Sequence, residues 1–140
     1  MYDIYNLKLF QFITSNYCDL SNSSLHQLDT KLFTFTQLEI LDLSENQLEA
    51  LPDSISNLKN LNTLILSDNL FETLPETICD LNKLENLYIA NNRLTHLPDR
   101  ITNLTELKWF SIMENDHLKL STSQQEWIEH LKLRGCKVLL

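Results

Sequence analysis

The sequence predicts a stacked repeat protein of the α/β class, in which a short strand, a tight turn and a short helical segment recur. Three observations predict it. First, one pattern of 23 residues is written three times between Leu38 and Leu104. Leu38, Leu41, Leu43, Asn46, Leu48, Leu51, Pro52, Ile55 and Leu58 are followed in register by Leu61, Leu64, Leu66, Asn69, Phe71, Leu74, Pro75, Ile78 and Leu81. The third copy is Leu84, Leu87, Ile89, Asn92, Leu94, Leu97, Pro98, Ile101 and Leu104, and a fourth opens with Leu107, Phe110, Ile112 and Asn115 before departing. Second, apolar spacing changes period inside each unit. Leu41 and Leu43 alternate with Ile40, Asp42 and Ser44, as in a strand, whereas Leu51 to Leu58 space their apolar residues by three and four, as in a helical turn. Third, all three prolines fall at one repeat position.

Residues 1–14 precede the first unit. In register, Tyr2, Tyr5, Asn6, Leu9 and Phe12 align with Leu48, Leu51, Pro52, Ile55 and Leu58, which makes the segment half a repeat. Ile4, Leu7, Phe10 and Ile13 at helical spacing make it an amphipathic helix instead. Either version is an N-terminal cap, because a stack of repeats must cover the apolar face of its terminal unit. A degenerate unit follows, with Ser15, Cys18, Leu20, Ser23, Leu25, Leu28, Leu32 and Phe35 in phase and Asp29 in the proline slot. In the later units proline is placed to open a helical turn, where its missing N–H would lack a partner anyway. Asp53, Glu76 and Asp99 follow the prolines, matching the preference of a helix N-terminus for negative charge.

From Ser121 the pattern gives way to a helix with its own start and stop. Ser123 and Glu126 read as a capping box, Trp127, Ile128 and Leu131 as an apolar stripe, and Gly135, the only glycine, as the left-handed residue of a C-cap. Cys136, Val138 and Leu140 alternate with Lys137 and Leu139, which predicts a last edge strand. Residues 15–121 thus make about five repeats, 122–140 a C-terminal helix-strand cap, and 1–140 a single domain.

The LxxLxLxxN stretch followed by LPxxIxxL resembles the leucine-rich repeat family in its short 23-residue class, over residues 15 to 120. The resemblance implies a curved solenoid, with a parallel β-sheet on the concave side and short helical or 3₁₀ turns on the convex side. It also implies protein recognition. Ser15 and Ser23 depart from the pattern, and His117 falls in a leucine slot, so irregular packing is expected at both ends.

Composition narrows the function. A net charge of −8 has the wrong sign for phosphates or anionic lipid, so the expected partners are neither nucleic acid nor membrane. Cys18, Cys79 and Cys136 share no paired spacing, which indicates neither a disulfide framework nor a zinc site and fits a reducing compartment. Asp3 in place of positive charge and the broken apolar run of the N-terminus argue against a signal peptide. The expectation is a cytoplasmic protein, with delivery by a signal-less route also compatible. One glycine excludes phosphate cradles, and His26, His96, His117 and His130 have no catalytic or metal-ligand spacing. The sequence therefore predicts no catalytic, cofactor-binding or metal residues, and no enzyme. The asparagine column of Asn46, Asn69, Asn92 and Asn115 reads as structural, its amides satisfying backbone left open by the turn. The asparagine–serine and asparagine–threonine sequons at Asn22 and Asn103 read as accidental.

What remains is the face turned outward by the strands. Its columns are Tyr17, Ile40, Thr63, Asn86 and Trp109, then Asp19, Asp42, Ile65, Tyr88 and Ser111, then Ser21, Ser44, Ser67, Ala90 and Met113. Ile65, Tyr88, Trp109 and Met113 gather toward the C-terminal half, with Ile40, Tyr17, Asp42, Glu45 and Asp68 completing the predicted protein-binding surface. Glu39, Glu45, Asp68, Glu85 and Glu114 border it, so the expected partner is a protein or peptide with an apolar anchor flanked by basic residues. The expected protein is a monomer; self-association through the same patch is the alternative. A face of roughly 24 by 16 Å, near 400 Å², is half the standard interface of about 800 Å² per partner, so it suits a short peptide or loop.

Overall fold

The computed structural model describes residues 15–140. The half-repeat or helix expected over residues 1–14 lies outside them. Among the described residues, six three-residue strands form one parallel sheet in chain order: β1 (Tyr17–Asp19), β2 (Ile40–Asp42), β3 (Thr63–Ile65), β4 (Asn86–Tyr88), β5 (Trp109–Ser111) and β6 (Lys137–Leu139). The 23-residue period becomes a physical register, with Cys18, Leu41, Leu64, Leu87, Phe110 and Val138 as successive partners. The first five of these are fully buried, because side chains alternate along a strand and the middle residue of each points into the stack.

Four 3₁₀ turns lie on the convex side: Thr30–Thr34, Asp53–Asn57, Glu76–Asp80 and Asp99–Asn103. The prolines stand one step earlier than the sequence suggests. Pro52 and Pro75 are extended, with ψ of 153° and 146°, and are the caps of the turns rather than their first residues. A proline side chain cannot cap; it fixes φ and offers its carbonyl, which accepts from the amide of Ile55, Ile78 or Ile101. Asp29 keeps the carbonyl bond, accepting from the Leu32 amide at 3.0 Å, and adds a side-chain cap, its Oδ1 accepting from the Lys31 amide at 2.9 Å. Ile55, Ile78 and Ile101 then close the core from the convex side.

A helix over Thr122–Leu133 takes the place of the fifth convex turn and delivers β6 beside β5. Its capping box is Ser121 with Gln124, not Ser123 with Glu126. The helix starts two residues earlier than the capping-box reading, and Gln124 then serves twice: Oε1 accepts from the Ser121 amide, while Nε2 donates to the carbonyls of Leu97 and Pro98. Trp127, Ile128 and Leu131 are buried as expected, Trp127 tilted against Phe110 at 5.2 Å and donating Nε1–H to Leu104 O. At the other end Gly135 has φ +91°, and the amides of Gly135 and Cys136 bond back to the carbonyls of Lys132 and Leu131, a Schellman closure. The inward alternation expected for the last strand stops short, since Cys136 is buried and Val138 half-buried but Leu140 is exposed. At the irregular C-terminal end, His117 in the leucine slot is exposed and its neighbour Leu118 packs against the core instead.

Candidate functional site

The asparagine column is internal. Asn69 Nδ2 donates to the carbonyls of Leu43, Leu66 and Ser67, and its Oδ1 accepts from the Leu48 amide. Asn46, Asn92 and Asn115 repeat the arrangement, and all four are buried. Each side chain thus closes its own turn and fastens the preceding repeat, as a structural role requires. The residue before each asparagine, at Glu45, Asp68, Asn91 and Glu114, has φ between +50° and +59°, and Asn22 before Ser23 in the first unit has φ +46°, so the turn reverses through a left-handed residue. Glu45 and Asp68 therefore stand exposed just past the strand ends, on the rim of the outward face rather than in it.

Within the strands the outward face has two in-register columns, and the third expected column, Ser21, Ser44, Ser67, Ala90 and Met113, lies just past the strand ends. Of the two, one runs Tyr17, Ile40, Thr63, Asn86, Trp109 and Lys137; the other runs Asp19, Asp42, Ile65, Tyr88, Ser111 and Leu139. Tyr17 is 44% exposed and Trp109 38%, while Ile40, Asp42, Ile65 and Tyr88 are half-buried among their neighbours. Ile65 and Tyr88 are direct cross-strand partners. Trp109 lies in the other column and does not join them directly; Met113, 38% exposed, follows β5. Ser111 is buried, so the apolar surface is interrupted at that point.

Two residues of this face, Lys137 and Leu139, were assigned by the sequence to the cap and not to the site. The Lys137 ammonium sits 4.4 Å from the Trp109 ring centroid, a cation–π contact that partly roofs the indole. The signal was present, since an inward Cys136 and Val138 leave Lys137 and Leu139 facing outward. At the opposite end Asp19 and Asp42 are partners across β1 and β2. Each accepts from the amide and hydroxyl of the serine two residues on, Ser21 or Ser44, with the hydroxyl at 2.6 Å. The Tyr17 phenol pKa is raised, first by burial and then by the charges of Asp19 and Asp42.

Other polar groups belong to the framework. Glu85 is held by Lys108 at 2.8 Å on one rim, and Arg100 pairs with Glu76 and Asp80 on the convex side. Cys18, Cys79 and Cys136 are buried and form no disulfide, and burial pushes the Cys79 thiol up to about 12, where it stays protonated. Among the described residues no group of three His, Cys, Asp or Glu could hold a metal ion, and no helix is long and apolar enough to cross a membrane.

The parallel sheet, the 3₁₀ turns and the asparagine ladder define a repeat solenoid, and comparison with known proteins gives its family. A model of the leucine-rich repeat region matches residues 4–138. The chain belongs to the leucine-rich repeat family. Among solved structures it is similar to the leucine-rich repeat protein LIC12759 of Leptospira interrogans, at 34% identity and a TM-score of 0.70 over 82% of this chain and 28% of that one. The ectodomain of the receptor kinase SOBIR1 from Arabidopsis thaliana matches at 28% identity and 0.61, over 68% of this chain and 54% of that one. The ectodomain of GASSHO1/SCHENGEN3 from Arabidopsis thaliana, solved in complex with CASPARIAN STRIP INTEGRITY FACTOR 2, matches at 37% and 0.60, over 75% of this chain and 15% of that one. The chain therefore spans only part of the length of each of these proteins. No curated protein matches it.

Proposed function

We propose that this chain is a non-enzymatic binding module that holds a short segment of a partner protein on its concave face. The observation that carries the reading is the outward face of the sheet, where Ile65 and Tyr88 pair across strands and Trp109 stands 38% exposed on rigid backbone. Aromatic anchors on a preformed surface supply binding energy at low entropic cost. One similar ectodomain was solved with a partner bound, which supports the same use here. The acidic rim of Glu39, Glu45, Asp68 and Glu114 favours a partner whose apolar anchor is flanked by Lys or Arg. A monomer fits the net charge of −8, which opposes stacking two such faces together. Three buried thiols with no disulfide support a cytoplasmic setting.

Replacing Tyr88 and Trp109 together by Ala tests the reading. The variant should keep its circular dichroism and lose capture of a specific partner from lysate by at least about 30-fold, as expected for removing hot-spot side chains. Undiminished capture by a folded double variant would move the site off this face.

A further inference from the structure

The concave face is not uniform along the solenoid axis. Within its two columns the charged residues are Asp19 and Asp42 at one end and Lys137 at the other, with Ile40, Ile65, Tyr88, Trp109 and Leu139 among the residues between or beside them. The ion pairs of the described residues give Lys137 no carboxylate; its ammonium rests on the Trp109 ring. The rims do not share this polarity, because acid recurs along them from Glu39 and Glu45 to Glu114. Any order imposed on a bound segment must therefore come from the columns.

We infer that the face is directional: it takes an extended segment laid across the strands, with a basic residue over Asp19 and Asp42, apolar residues over Ile65, Tyr88 and Leu139, and an acidic residue at Lys137. The inference rests on the concave-face reading and adds the chemical order of the ligand. From β2 to β6 is four strand spacings, near 19 Å, which about six residues of extended chain cover. Complementary charge at the two ends rejects the inverted ligand, since inversion sets carboxylate against Asp19 and Asp42 and ammonium against Lys137. A second copy of this chain is a poor occupant, because its own surface carries a net charge of −8. Seating the acidic end draws the Lys137 ammonium off the indole and uncovers Trp109 for contact.

Selection of displayed random octapeptides against the whole chain tests this. The pool enriched on the wild type should carry Lys or Arg toward one end, apolar or aromatic residues in the middle and Asp or Glu toward the other. Asp19→Asn with Asp42→Asn keeps the oxygen that accepts from Ser21 and Ser44; it should cut the basic preference at least fivefold and leave the acidic one. Lys137→Gln should do the reverse. A pool that depends on Tyr88 and Trp109 but shows no charge order, or an order neither variant changes, overturns the directional inference and leaves the concave-face reading standing. Enrichment that survives Tyr88→Ala with Trp109→Ala, or no enrichment at all, overturns both.

Discussion

Asn92 shows how much a single residue holds in this array. Its Nδ2 serves the carbonyls of Leu66, Ile89 and Ala90, and its Oδ1 the Phe71 amide, against the buried core. Cutting the side chain back in Asn92→Ala orphans those groups, and with each unmet buried group costing about 1–3 kcal/mol, partly relieved by relaxation, the loss should be about 2–4 kcal/mol. Urea unfolding would measure it, and Asn92→Asp should lose nearly as much, because carboxylate oxygens cannot donate to the carbonyls. The asparagines were legible from sequence because their chemistry is repeated and uniform. The left-handed residues beside them were not. Asn91 suits that conformation, as does Asn22 before Ser23, but Glu45 and Glu114 carry no signal for it, and only the shared turn forces them there.

The elements were legible where local and periodic signals agreed. Strands and convex turns stand where the change of period placed them, and the prolines were displaced by one residue only because a fixed φ suits a cap as well as a first turn. The C-terminal helix shows the limit. Ser121 and Ser123 both precede a residue able to complete a capping box, and the choice is made by tertiary contacts: starting at Thr122 turns Gln124 toward the carbonyls of Leu97 and Pro98. The helix end depends on backbone alone. A Cβ added at Gly135 would meet nothing within 4 Å, yet φ is +91°. Gly135→Ala should therefore cost about 1–2 kcal/mol of strain without any clash, lowering the thermal midpoint by about 3–8 °C. An unchanged melt would mean the Schellman closure contributes little to docking β6.

At the scale of the molecule, the repeats touch mainly their neighbours, so the architecture followed from 23-residue periodicity, while the binding surface lies in the residues that fail to repeat. Ile65, Tyr88 and Trp109 could be placed on that surface from their register. Lys137 and Leu139 could be read as outward from the alternation with Cys136 and Val138 but not assigned to a column, because their strand arrives by way of a helix of unrelated pattern and only the parallel pairing of β6 with β5 brings them into line. The ladder also gives the molecule a mechanical character. Asn46, Asn69, Asn92 and Asn115 each grip a carbonyl 26 residues back, so a pulled chain cannot slide; it must release one grip before the next repeat gives way. Stretched end to end by optical tweezers, the protein should lengthen in even steps of roughly 80 Å, one repeat's extended chain, and Asn69→Ala should soften one step of the staircase. The column that reads in the sequence as mere regularity would then act as a ratchet.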